Sequence, residues 1–489
     1  MKKKSQFRSG RGATRFGHPQ PLQSFSLTRS LELALAFSRA KALHQAGQLA
    51  EAEKIYGQIL KVQPNHAASL HLLGVIYCQR GDHVAGLRQI NLSLKVDSKD
   101  AYALYNRGRS LQELKRFDEA LASYDKALAL KPDYAELLNN RGRVLQELKR
   151  FDEALLSFER ALTVKPDFAD AHWNEALSRL VTGDFSRGWA KYEWRWKSWS
   201  LSASLKRNFP QPLWLGAEAI DGKTILVHSE QGFGDTIQFC RYVPLVAARG
   251  ARVILEVQRS LHEIMTSLAG ATQVIFKGDA LPDFDFQCPL PSLPLAFGTR
   301  LETIPSATSY LRAPDQPLKT WQARLGPKAR SRIGLAWSGN PANKNDQNRS
   351  ISLRSLLPLL DIDATFVSLQ KDVRSGDAAV LKERNDVLHF EDAVKDFSNT
   401  AALILQLDLV ISVDTSIAHL AAALGEPVWI LLPYNPDWRW LLDRDDSPWY
   451  PSVRLFRQQQ IGNWAGVIDQ VKNELRSVRP FNALPNVSA

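Results

Sequence analysis

The chain has 489 residues, 44% hydrophobic and 23% charged, ordinary globular usage with apolar material for two or three domains. The formal net charge is +11, but Lys2, Lys3, Lys4, Arg8, Arg11, Arg15 and Arg29 all precede the first acid, Glu32, and leave only +4 for the rest, which argues against a specific nucleic-acid partner. No apolar run reaches the roughly 18 residues of a transmembrane segment, no apolar stretch follows the basic start to make a signal peptide, and Cys78, Cys240 and Cys288 have neither disulfide nor metal-ligand spacing; a reduced, cytoplasmic protein is expected.

Residues 1–30 contain Gly, Ser and Pro among the basic residues and are expected to be a disordered basic tail. From 31 to 200 the chain repeats. Segment 101–134, AYALYNRGRSLQELKRFDEALASYDKALALKPDY, recurs as 135–168, AELLNNRGRVLQELKRFDEALLSFERALTVKPDF. The period of 34 extends back to 33 and forward into a diverged unit from 169. Small residues recur as Ala40, Gly74, Gly108, Gly142 and Ala176, and again as Ala52, Gly86, Ala120, Ala154 and Gly188. Bulky residues recur as Tyr56, Ile90, Tyr124, Phe158 and Tyr192, and Pro64, Pro132 and Pro166 end three units. Small residues let two helices approach, the bulky residue fills their seam, and proline stops the second helix. The pattern resembles the tetratricopeptide repeat, whose single units cannot bury their apolar faces and stack into a shared core. Asn106, Asn140 and Asn174 share one repeat position and are expected to line up as an acceptor-binding ladder or, equally, to bond neighbouring turns. Trp173, Trp189, Trp194, Trp196 and Trp199 crowd the last unit, as a cap docking on the next domain or as an aromatic ligand surface.

After a linker at 201–221 the pattern changes to short β-branched runs alternating with helical stretches. Strands are expected at 224–228, 252–257, 273–276 and 284–288, with a helix from about Asp235 to Ala248 and another near 259–268. A second series runs through 332–337, 365–369, 387–390, 408–414 and 428–432, and a helix at 463–476 closes it. Apolar strands alternating with helices imply parallel sheets covered on both faces. The expected fold is therefore an α-helical solenoid followed by an α/β module of two Rossmann-like lobes, 222–320 and 321–479, with a tail at 480–489.

Three loops carry chemistry. HSEQGFGDTIQF, 228–239, joins strand to helix where open α/β sheets bind ligands, and Gly232 and Gly234 permit close backbone approach. Asp235 is either a helix cap or a functional carboxylate. The loop lacks GK[ST] and GxGxxG, so ATP hydrolysis and NAD chemistry lose support. SVDTSIAHLAAALGEP, 412–427, turns a buried strand into a helix at Asp414, Thr415 and Ser416, a start suited to phosphate; His419 lies one turn in, as a ligand group or a packed core residue. WSGNPANKNDQNRSISL, 337–353, offers Ser338, Asn340, Lys344 and Arg349 beside it, cationic donors for a pyrophosphate if the loop is not merely solvated.

Residues 222–476 resemble glycosyltransferase family 9, which includes lipopolysaccharide heptosyltransferases, in a bacterial form with an amino-terminal repeat array. The resemblance implies the two-lobed GT-B fold and a nucleotide-sugar donor as substrate, without cofactor or catalytic metal. It implies that Asp235 is the catalytic base, that Lys344 contacts donor phosphate, and that Asp414, Thr415, Ser416 and His419 hold donor pyrophosphate and sugar, with Arg349 at the same edge. The repeat-plus-GT-B layout is also similar to protein O-linked N-acetylglucosamine transferases. Ser416 stands where the family pattern has Gly, and the first lobe looks short, so no acceptor contacts carry over. Trp438, Arg439 and Trp440 either line the cleft or pack the lobes. The implied function is transfer of a sugar to a protein or glycan hydroxyl, with repeats recruiting acceptor or partner. The alternative is a non-catalytic repeat scaffold with a relic or sensing nucleotide-sugar domain.

Overall fold

The structure, a computed structural model, describes residues 22–198, 207–343, 345–390, 394 and 396–477, with side chains from residue 30 onward. Lys344 and Trp199 lie outside the described residues, as do 1–21 and 478–489. The chain divides into two compact units, Met1–Pro132 and Asp133–Ala489.

The first unit holds three helix pairs: α1 (Leu22–Gln45) with α2 (Leu49–Val62), α3 (Ala67–Gln79) with α4 (His83–Val96), and α5 (Ala101–Glu113) with α6 (Phe117–Leu130). α1 begins inside the stretch expected as a tail, because no glycine or proline interrupts the chain between Pro21 and Gly47. The second unit continues with α7 (Ala135–Glu147), α8 (Phe151–Val164), α9 (Ala169–Val181) and α10 (Phe185–Tyr192). The seam chemistry follows the repeat: a Cβ at Gly108 would enter the ring of Tyr124, and one at Gly142 the ring of Phe158. Asp82 and Asp100 cap α4 and α5, accepting from Ala85 N at 2.9 Å and from Tyr102 N at 2.9 Å. The turn inside each pair needs a left-handed residue. Gly47, Gly81 and Gly183 supply it, while Lys115 and Lys149, both at φ 57°, hold the same place against the usual steric penalty.

Two of the three asparagines take the second of their expected roles, bonding neighbouring helices. Asn106 Nδ2 donates to His71 Nε2 at 2.9 Å, and Asn174 Nδ2 donates to Asn139 Oδ1 at 2.9 Å. Each reaches the preceding repeat, so these two amides tie neighbouring helices and do not form an open ladder. Asn140 is partly buried on α7.

Two parallel sheets follow in the second unit. β1 (Thr224–His228), β2 (Arg252–Val257), β3 (Ala271–Phe276) and β4 (Phe286–Pro289) are ordered β3-β2-β1-β4. β5 (Arg332–Ala336), β6 (Thr365–Ser368), β7 (Leu409–Val413), β8 (Val428–Leu432) and β9 (Val453–Arg457) are ordered β6-β5-β7-β8-β9. Every residue of β5, β7 and β8 is buried, as parallel strands covered on both faces require. The long helix expected after β1 is broken into Phe233–Phe239, a 3₁₀ turn Cys240–Tyr242 and Val243–Ala247, because Pro244 cannot continue it. The strand expected at 387–390 reduces to one bridge between Val367 and Leu388. β9, within the loop-like 433–458 stretch, was not expected.

Candidate functional site between the two sheets

Each sheet has a place where strand order reverses, and loops leaving adjacent carboxyl ends there splay apart to open a crevice. In the second sheet that place lies between β5 and β7. The loop after β5 carries Ser338 and Arg349, and the turn after β7 carries Asp414, Thr415 and Ser416. In the first sheet it lies between β1 and β4, and the loop after β1 carries Gly232, Gly234 and Asp235.

On the second-sheet side, Arg349 Nη1 donates to the Asp414 carbonyl at 2.9 Å, so the two loops meet. Arg349 Nε and Ser338 Oγ are buried without a hydrogen-bond partner. The nearest counter-charge to Arg349 Nε is Asp346 Oδ1, 3.9 Å away and beyond hydrogen-bond reach. The helix Ser416–Ala423 begins after Thr415 in extended backbone, and no side chain caps it. The Thr415 hydroxyl lies 3.1 Å from Ser412 Oγ instead. The first amides and the positive end of the helix dipole are thus left for an anion.

His419 is held from several sides. Its Nδ1 lies 2.9 Å from the Tyr450 hydroxyl, its Nε2 lies 3.8 Å from Asp414 Oδ1, and its ring stacks on Trp440. Burial, with Arg439, Arg241 and Arg349 nearby, drives its pKa well below the usual value, so the ring is neutral. Burial, reinforced by Asp437, pushes the Asp414 carboxyl up to about 6 against the pull of Arg349 and Arg439.

On the first-sheet side, Asp235 fills the helix-cap position that was one of its two expected roles, and also pairs with a distant cation. Oδ2 accepts from the Gly232 backbone N–H at 2.9 Å, closing the start of Phe233–Phe239, while Oδ1 forms an ion pair with Arg439 Nη2. Burial raises its pKa, and Arg439 opposes the rise. Gly234 lets the two sides touch: a Cβ there would lie 2.9 Å from His419 Cδ2, under any normal carbon contact. The structure therefore brings Asp235, Gly234, Asp414 and His419 together. Arg439, for which lining a cleft and packing the lobes were both open, is buried and bonds Gln238 and Asp235 from the first-sheet side.

The repeat cap reaches this site. Arg195, in the 3₁₀ turn Glu193–Trp196, forms a fully buried pair with Glu230, and Gln231 Nε2 donates to the Tyr192 hydroxyl at 3.2 Å. Trp189 packs edge-on to Trp438 at 5.2 Å and donates to the Thr299 carbonyl at 2.9 Å. Trp194 instead stacks on His172, and Trp173 packs on Tyr192. The tryptophan-rich unit is a docking cap. Among the described residues, no group of three or more His, Cys, Asp or Glu is arranged to hold a metal ion. No helix among them is long and apolar enough to cross a membrane.

Comparisons with known proteins agree in outline. Residues 100–167 match the tetratricopeptide repeat family, and residues 394–457 match glycosyltransferase family 9 (heptosyltransferase). The latter segment takes in Asp414, Thr415, Ser416, His419 and Arg439. The chain is 24% identical to Protein FlbA of Caulobacter vibrioides over 499 residues, 96% of this chain and 77% of that protein. It is 33% identical to protein O-mannosyl-transferase TMTC1 of Mus musculus over 112 residues, 22% of this chain and 12% of that protein. Solved structures similar to it include MamA, at 22% identity and a TM-score of 0.30, covering 32% of this chain and 91% of that one. Another is YrrB, a TPR protein with an unusual peptide-binding site, at 18% identity and a TM-score of 0.31, covering 38% of this chain and 94% of that one. The chain carries tetratricopeptide repeats followed by a parallel α/β region with a family 9 segment, which supports a glycosyltransferase at the level of enzyme class.

Proposed function

We propose that this chain moves a hexosyl or heptosyl group from a nucleotide sugar to a hydroxyl of a protein or glycan acceptor, with inversion and without a metal. The observation that carries the proposal is the pairing across one crevice. Arg349 reaches the Asp414 carbonyl beside the uncapped start of Ser416–Ala423, and Gly234, next to Asp235, packs against His419 of that helix.

The donor diphosphate binds at the Thr415–Ser416 helix start, with Arg349 and Lys344 supplying positive charge. Asp414 and His419 border the sugar. Being neutral, His419 offers a hydrogen bond without adding charge. Asp235 takes the proton from the acceptor hydroxyl as that oxygen attacks the anomeric carbon. The bond to the diphosphate breaks with its electron pair leaving on phosphate oxygen, where the helix start and the cations stabilise it. One base suffices for such a displacement. The first lobe, 222–320, is the acceptor side and the second, 321–479, the donor side. The repeats recruit acceptor or partner protein.

The test is release of nucleoside diphosphate from a panel of UDP-, GDP-, ADP- and dTDP-linked sugars, with a protein or glycan acceptor and with EDTA present. Turnover of one donor that survives EDTA supports the proposal. Tight donor binding with no release from any acceptor would instead identify a sensing scaffold. Activity lost to EDTA and restored by Mg²⁺ or Mn²⁺ would overturn the metal-free assignment.

A further inference from the structure

Arg439 stands 204 residues from Asp235 in sequence, and no motif links them. It arrives on the 3₁₀ turn Trp438–Trp440 that follows β8, on the second-sheet side. Each of its three nitrogens is engaged: Nε donates to Gln238 Oε1 at 2.6 Å, Nη1 to Asp437 Oδ1 at 2.8 Å, and Nη2 to Asp235 Oδ1. The guanidinium also lies 4.4 Å from the centre of the Trp438 ring. Gln238 and Asp235 belong to the first-sheet side, and Asp437 and Trp438 to the second. The cation is therefore fixed in one orientation by both.

We propose that Arg439 is the positioning residue of the base: reaching over from the second-sheet side, it orients the Asp235 carboxylate. This rests on Asp235 being the base, as proposed above. With Oδ2 on the Gly232 amide and Oδ1 on Arg439, the plane of the carboxylate is set from two directions, one on each lobe. The other charged and titratable groups facing Asp235 are Asp437, Glu230, the Tyr192 hydroxyl and, over Gly234, the neutral His419 ring beside Asp414. Burial, Asp437 and Glu230 all favour the protonated carboxyl, and a protonated carboxyl cannot accept the acceptor's proton. Arg439 opposes them first, and the Gly232 N–H does so as well. The orientation of the base thus depends on residues from both sheets.

The experiment uses the full chain, the donor found by the panel, and the variants R439Q, R439K, D235N and R439Q/D235N. For R439Q, turnover falls about 10²-fold or more while donor affinity by calorimetry stays within a few-fold. Loss of an adjacent opposite charge moves the acidic limb of the kcat–pH profile upward by about 1–3 units. R439K restores the limb and part of the rate. The double variant is no slower than D235N alone, as for residues that act as one unit. Two outcomes overturn the proposal: weakened donor binding with kcat intact, which makes Arg439 a donor ligand, or lower thermal stability with an unmoved pH profile, which makes it structural. If the wild-type protein turns over no donor, the enzyme proposal itself fails. A double-mutant cycle of wild type, R439Q, D235N and R439Q/D235N in urea then decides the pairing alone: coupling at pH 7 upholds the Arg439–Asp235 pairing, and zero coupling removes it.

Discussion

Arg195 and Glu230 meet edge to edge with both side chains fully buried. Arg195 Nε donates to Oε1 at 2.9 Å and Nη2 to Oε2 at 2.8 Å. Arg195 also bonds Glu193 at 2.6 Å and Ser292 at 2.7 Å. The pair joins the last turn of the repeats to the loop that leads into Gly232, Gly234 and Asp235. Glu230 therefore anchors that loop to the repeats.

Removing one partner of this pair leaves an uncompensated buried charge. Arg195→Met is therefore expected to destabilise by about 3–5 kcal/mol, whereas Arg195→Met with Glu230→Met regains most of the loss. Urea unfolding of the two variants measures this. If the double variant recovers stability but not turnover, the anchor positions the loop; equal losses in the single and double variants would contradict the pairing account.

Asp235→Asn keeps an oxygen for the Gly232 amide and removes the proton acceptor. Turnover should fall by about 10²–10⁴-fold, the usual contribution of a positioned base. Donor affinity should change little. Steady-state rates and calorimetry on the same preparation decide it, and near wild-type turnover would exclude Asp235 as the base.

Gly234→Ala places a methyl 2.9 Å from His419 Cδ2, between the two sheets. Overpacking of this kind costs about 1–3 kcal/mol. The expected result is a lower unfolding midpoint together with reduced turnover, since the methyl separates Asp235 from the donor side. A fully stable and fully active variant would show that the two helix starts do not need this contact.

Stability should respond to pH through His419 and Asp414 in opposite senses. The His419 pKa is well below 6.5 in the folded chain, so the unfolded chain binds more protons below 6.5 and stability falls as pH drops. The Asp414 pKa is raised from 3.8 to about 6, so the folded chain holds the extra proton in that window and gains stability as pH falls through it. Asp414→Asn should therefore steepen the decline in urea midpoint below pH 6. An unchanged slope would mean that Asp414 is not raised.

The helix pairs were legible because their determinants are local and repeated. Ala, Gly and bulky positions recur every 34 residues, and each helix meets the next through positions close in sequence. Parallel strands were legible as apolar runs, and the helix starts at Asp235 and Ser416 from Gly, Asp, Thr and Ser at strand ends. Legibility stopped where a partner is distant. The break at Pro244 and the single bridge at Leu388 depend on how much neighbouring backbone each segment finds, and β9 shows in sequence only as a short apolar run within a loop-like stretch.

Periodicity and turn chemistry act over one or two turns of chain, so the repeats, the two parallel sheets and the loops at their carboxyl edges could be read from the residues alone. Which polar partners meet depends on long-range packing. Arg439 pairs with Asp235, Arg195 with Glu230, and Asn174 with Asn139 rather than forming an open ladder. A charged side chain carries no mark of its partner along the chain. Its role is set by burial, which makes an unpaired charge costly, and by the packing that brings one counter-charge within reach.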